Sequence, residues 1–115
     1  MRNVAYLRKE KETIEMDYPL GKVWPAISKA LASLEWTIEE TNDGKHNIKA
    51  RTKASFFAYA SVLLISASAV DEKTSRVTVT AETPVTTITA IVDFGRTRDR
   101  IEQFFRALAK QLTNQ

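Results

Sequence analysis

Few residues in this chain carry the chemistry to make or break bonds, and their spacing removes most catalytic arrangements. His46 is the only histidine, and it follows Gly44 closely in what reads as a turn. A histidine-centred triad or a multi-histidine metal site therefore cannot be built within one chain. Cysteine is absent, which removes disulfides, thiolate metal ligands, cysteine nucleophiles and cysteine-borne lipid together. The acidic neighbours Glu39/Glu40 and Asp71/Glu72 would point to opposite faces of a strand, so neither pair converges on one substrate. Separated carboxylates such as Glu15 and Glu82 are the acid–base arrangement left open. Asp93-Phe94-Gly95 has the spelling of a kinase metal-binding triplet, but the other kinase signatures and a glycine-rich phosphate loop are missing. On these residue types the expectation is a non-enzymatic domain with no metal and no cofactor.

Binding is better provided for. From Ala54 to Val70 the chain runs for seventeen residues without a charge. That length touches the lower limit for crossing a bilayer, but four serines and five alanines and the strand-like flanks argue against a membrane span. The preferred assignment is a buried strand preceded by an aromatic bend. Phe56, Phe57, Tyr59 and Leu63 then supply an apolar surface for a partner subunit, making a homo-oligomer, or for a small hydrophobic ligand. A rival use lies just upstream. Lys49, Arg51 and Lys53, close to those rings, are what a nucleic-acid module would use to hold phosphates while bases stack. The glycine of the RNA-recognition signature is missing, however, and the order of elements is wrong for that fold. A solvated face partly neutralised by Glu39 is the preferred alternative, so nucleic acid is disfavoured as a partner. Thr78, Thr80, Thr83, Thr86, Thr87 and Thr89 read similarly as strand formers facing water.

The elements that must position these residues follow from periodicity. The 115 residues, 43% hydrophobic and 27% charged, suit one globular domain over 1–115, large enough for a core of its own. Seventeen basic residues against fourteen acids leave a net charge of +3, a weak signal for polyanions. Residues 1–12 are charged on every side, as a flexible arm or an edge strand would be. Charges at positions 8 to 12 occupy the place where an export signal needs its apolar stretch, so the expectation is a cytoplasmic protein.

Thr13 to Tyr18 alternates as a half-buried strand. Leu20, Val23, Ile27, Leu31 and Leu34 recur at helical spacing, with Pro25 acceptable only near a first turn, so the regular helix is expected over about Val23 to Leu34. Trp36 to Thr41 and Lys45 to Lys53 form a hairpin. A three-residue loop with Gly44 left-handed would pair Ile38 with Ile48 and Trp36 with Ala50, keeping one face apolar. Arg76 to Glu82 is a further strand, interrupted at Pro84 and resumed over Val85 to Val92. Ile101, Phe104, Phe105, Leu108 and Leu112 mark a final amphipathic helix, with Arg98, Arg100 and Arg106 mostly toward water and Thr97 as its N-cap. The expected fold is α+β: an antiparallel sheet of about five strands with two helices on one face, in the order βαβββ(β)α.

Thr13 to Trp36, with its Tyr18-Pro19-Leu20 break and the Val23-Trp24 pair opening a helix, resembles the start of helix-grip domains of the START/Bet v 1 type. The chain is also similar to small uncharacterised bacterial domains, often in lipoproteins. There the first helix ends in a leucine, an acidic or glycine residue and an aromatic, as Leu34-Glu35-Trp36 does here. Phe94-Gly95-Arg96 leading into Ile101 to Leu112 resembles the same group. The resemblance, from about Thr13 to Leu112, implies the strand–helix–strands–helix order and supplies no catalytic residue. The chain departs from the group in lacking the lipid-attachment cysteine and in being too short for a seven-stranded grip with a large cavity.

Overall fold

The computed structural model describes residues 6–53, 60–85 and 96–113. In chain order these form β1 (Tyr6–Met16), α1 (Leu20–Ser33), β2 (Thr37–Asn42), β3 (Asn47–Arg51), β4 (Val62–Ala69), β5 (Ser75–Val85) and α2 (Arg96–Thr113). The five strands make one sheet in the order β1-β5-β4-β3-β2, antiparallel at every pairing. This is the expected α+β arrangement.

The side-chain period of two decides which face of each strand is buried. Ile48 and Ala50 of β3, Leu63, Ile65 and Ala67 of β4, and Val77, Val79 and Ala81 of β5 are all buried. Their cross-strand partners match in register, Ala50 with Leu63 and Leu63 with Ala81. Val23, Ala26, Ile27, Ala30 and Leu31 of α1 complete that core with Ile101, Phe104, Leu108 and Leu112 of α2. The intervening residues of β4 face away, leaving Leu64 42% exposed. Among the described residues no helix is long and apolar enough to cross a membrane.

Of the two alternatives for residues 1–12, the edge strand describes 6–12, because β1 runs from Tyr6 and pairs with β5 along its whole length. Several other local expectations are corrected. Helix α1 starts at Leu20, which places Pro25 inside it. The start is fixed by the Pro19 carbonyl, which accepts bonds from the Lys22 and Val23 amides at 2.9 and 3.0 Å. The amide missing at Pro25 would have bonded the carbonyl of Gly21, and Gly21 is exposed, which leaves that carbonyl open to solvent. Pro84 does not interrupt β5, which continues to Val85 opposite Tyr6. The pairing with β4 stops at Glu82, so Pro84 has a ladder neighbour on the β1 side alone, where a proline is tolerated. The continuation expected over Val85 to Val92 lies, beyond Val85, outside the described residues.

The hairpin loop is also different. Asn42 pairs with Asn47 across a four-residue connection, and a bulge at Glu39 restores the parity so that Ile38 opposes Ala50. The left-handed residue is His46, at φ 55°, rather than Gly44. The Asn42 side chain accepts a bond from the Lys45 amide at 3.0 Å, an organisation that Asn favours in turns. The Trp24 indole donates to the Asp43 carboxylate at 3.0 Å and meets the His46 ring edge-on, which ties the loop to α1.

Helix α1 ends in a Schellman motif. The Trp36 amide bonds the Leu31 carbonyl at 3.1 Å and the Glu35 amide bonds Ala32 at 3.0 Å, with Glu35 left-handed at φ 60°. Glu35 also accepts from Lys53 at 2.6 Å. That hydrogen bond first, then the ammonium charge, hold its carboxyl below the usual range.

Three outcomes follow for stability. Phe104 is fully buried between the helices and the sheet, so Phe104→Ala should cost about 3–5 kcal/mol in a denaturant titration. A Cβ added at Gly44 meets only the Asn42 oxygen at 3.5 Å, so Gly44→Ala should change stability by less than about 0.5 kcal/mol. A depressed carboxyl releases its proton more readily in the folded state, so the Glu35–Lys53 pair helps above the carboxylate range and its contribution fades as pH falls through it. Melting of Glu35→Gln beside the unsubstituted chain should therefore show a small deficit at neutral pH that closes in acid and in high salt.

Candidate functional site

Towards one end of the sheet the inward rows change from apolar to polar. The residue following Ile48 and Ala50 in the inward set is Thr52, the one preceding Leu63 on β4 is Ser61, and the one following Ala81 on β5 is Thr83. All three are buried. The Thr52 amide bonds the Ser61 carbonyl at 2.9 Å, and the Ser61 amide bonds the Thr52 hydroxyl at 2.8 Å. The Ser61 and Thr83 hydroxyls are hydrogen-bonded to one another. One hydroxyl-bearing row thus runs from the residues flanking the ends of β3 and β4 onto β5.

The first turns of α2 lie over that row. Thr97 and Arg100 occupy the same inward stripe as Ile101, Phe104 and Leu108, with Thr97 fully buried and Arg100 8% exposed. The Thr97 and Thr83 hydroxyls are 2.9 Å apart. Nη1 of Arg100 donates to the Ser61 hydroxyl and stands 3.5 Å from that of Thr83. Thr97 and Arg100 have further interactions besides these. A guanidinium in a protein interior is costly unless hydrogen-bonded, and hydroxyl oxygens supply acceptors without adding a formal charge.

The arrangement brings cationic N–H and O–H groups together inside the sandwich. Such a set recognises an oxygen function on a ligand, and it stabilises negative charge that develops on such an oxygen. On the same face of the sheet, β1 places Glu10 beside Ala81 and Glu12 beside Val79, both half-buried. Two carboxylates at positions i and i+2 of one strand share a face, unlike the adjacent pairs. Among the described residues no group of His, Asp and Glu is arranged to hold a metal ion.

The sequence-derived candidates fare unevenly. Phe56, Phe57 and Tyr59 lie outside the described residues. Leu63 is fully buried, so any ligand contact it makes is an interior one. Arg51 is paired with Glu39 at 2.9 Å and Lys53 with Glu35 at 2.6 Å, so two of the three basic groups are answered within the chain. Lys49 faces outward opposite Glu40 and beside Leu64. Arg100 and Thr83 are corrected from water-facing to buried. Thr97 is corrected from N-cap to the first turn of α2, which begins at Arg96. Thr86, Thr87 and Thr89 lie outside the described residues. The missed signal was parity: Thr52, Ser61 and Thr83 continue the inward positions of their strands, and Thr97 and Arg100 fit the helical stripe as well as the phenylalanines do.

No family model and no curated protein matches the sequence. Solved structures do match in three dimensions. An aromatase/cyclase from a Streptomyces species is 10% identical with a TM-score of 0.66, covering 92% of this chain and 94% of that one. Norcoclaurine synthase from Thalictrum flavum, in complex with dopamine and hydroxybenzaldehyde, is 11% identical with a TM-score of 0.68 over 96% and 88%. An uncharacterised protein from Bacillus thuringiensis is 14% identical with a TM-score of 0.68 over 92% and 99%. The expectation of a non-enzymatic domain is overturned by these neighbours. A cyclase and a synthase are enzymes, so the fold carries catalysis, and the scarcity of histidine and cysteine here does not argue against it. At these identities the likeness is one of fold, and that fold is the helix grip of the cyclase and Bet v 1 type which the sequence resembles.

Proposed function

We propose that this helix-grip domain binds a small, largely apolar molecule between α2 and the sheet, holding an oxygen function of that molecule with Arg100, Ser61 and Thr83. The observation that carries the proposal is the buried guanidinium–hydroxyl cluster, set where an otherwise apolar interior turns polar. The connection from Thr52 to Ser61 carries Phe56, Phe57 and Tyr59 in sequence. Two members of the cluster therefore bracket the rings that the apolar-ligand expectation singled out. The synthase neighbour that holds dopamine and hydroxybenzaldehyde suggests the size and class: one aromatic ring bearing a carbonyl or a hydroxyl. With a carbonyl oxygen against Arg100, the cluster would polarise the C=O bond and favour attack at its carbon, as donors aimed at a developing oxyanion do.

Hydroxybenzaldehyde is a suitable probe. In a two-dimensional NMR titration it should shift the Ser61, Thr83 and Arg100 backbone amides before those of the outer sheet face. Arg100→Met should weaken its binding roughly ten- to hundredfold, the worth of one charged hydrogen bond at about 1.5–3 kcal/mol. Arg100→Lys should recover part of that loss. If the titration moves no resonance at the cluster, or Arg100→Met binds as tightly as the unsubstituted chain, the cluster is only structural and the proposal fails.

A further inference from the structure

The face of the sheet turned away from the helices carries a groove of about 710 Å³, lined among others by Leu64, Thr78 and Thr80, where the charged lining among the described residues is Lys11, Lys45 and Lys49 against one carboxylate, Glu40. The ion pairs among the described residues are Arg51–Glu39, Lys53–Glu35 and Arg76–Glu15. None of the three groove lysines takes part in them. Leu64 is 42% exposed at this groove, an apolar side chain among cations and hydroxyls. The turn between β4 and β5 presents the opposite combination. There Val70 is 44% exposed and is followed by exposed Asp71 and Glu72, with Asp17 lining the same concavity against one lysine, Lys73.

We infer that the groove receives the Val70–Lys73 turn of a second copy of this chain. Val70 meets Leu64, and Asp71 and Glu72 enter among Lys11, Lys45 and Lys49. The two surfaces complement each other in charge, three lysines and one carboxylate facing three carboxylates and one lysine. They also complement each other in apolar content, because Leu64 and Val70 are two of the three large hydrophobic side chains exposed among the described residues. The third, Ile38, stands on β2 beside its bulge, which shields that edge from strand pairing. A nucleic-acid occupant is less well served, since among the described residues no aromatic ring lines the groove for bases to stack on. A contact built on exposed charges is salt-sensitive and weak, of the transient kind.

Sedimentation velocity of the full chain, from micromolar to millimolar, tests this. The mean mass should rise with concentration at low salt and fall back at about 0.5 M salt. Lys49→Glu and Glu72→Lys, both at exposed or half-exposed positions away from the core, should each weaken self-association about tenfold or more while melting normally. Mixing the two variants should restore association, because the reversed groove then meets the reversed turn. A chain that stays monomeric throughout, or variants that associate as well as the unsubstituted chain and gain nothing on mixing, would falsify the inference. So would salt-sensitive binding of a single-stranded oligonucleotide that Lys49→Glu abolishes while self-association is unchanged.

Discussion

Two helices can cover only one face of a five-stranded sheet, and nearly every other feature of this molecule follows from that limit. Strand residues alternate between faces, so each residue's environment is settled by parity once the register is set. On β4, Leu63, Ile65 and Ala67 fall inside while Leu64, Ser66 and Ser68 fall outside. Along β4 the uncharged run takes cover on one side alone, and its outer positions are two serines and the exposed Leu64. Helix α1 lies over β4 and β2, α2 lies over β5 and β1, and the two helices pack on each other. The bulge at Glu39 belongs to the same logic, since without it the four-residue turn would put Ile38 and Ala50 on opposite faces.

The polar end of the interior is the exception to an apolar covered face. A buried hydroxyl left without a partner costs about 1–3 kcal/mol, yet β5, α2 and the residues next to β3 and β4 each deliver one to the same place. Each of these groups satisfies another, from Thr52 through Ser61 and Thr83 to Thr97, with Arg100 donating into the chain. The network fixes how α2 sits along β5, because sliding the helix by a residue would strand both Thr97 and Arg100. Prepositioned donors are also what recognition of a ligand oxygen needs, so the proposed binding would draw on the same bonds that hold the architecture.

Much of the fold is legible in the sequence because it rests on long periodic patterns. The alternation of Val77, Val79 and Ala81 and the stripe from Ile101 to Leu112 each state an element and its buried face without help. What stays hidden depends on a neighbour. The left-handed residue of the hairpin is His46 because Trp24, distant in sequence, holds the loop through Asp43, and no local rule favours histidine over glycine there. Pro84 reads as a break unless the end of the β4 pairing is known. The site is obscured for a different reason: threonine and arginine are by habit surface residues, so their inward positions are discounted even where the period places them inside. Glu10 and Glu12 are overlooked likewise, because a segment charged on all sides gives no apolar marker of which face is which.

The placement of β1 beside β5 has a consequence for how the chain reaches this state. Tyr6 pairs with Val85 and Met16 with Ser75, so the first strand finds its only sheet neighbour in the last described one. During synthesis, β1 must wait roughly 3–12 s at about 5–20 residues per second before that partner emerges. Closing so long a loop is entropically costly and slow compared with forming α1 or the neighbouring hairpins. Until then Ile14 and Met16 have no sheet to pack on. The charges that crowd residues 8 to 12 keep this waiting strand soluble, as gatekeepers beside an exposed apolar strand do.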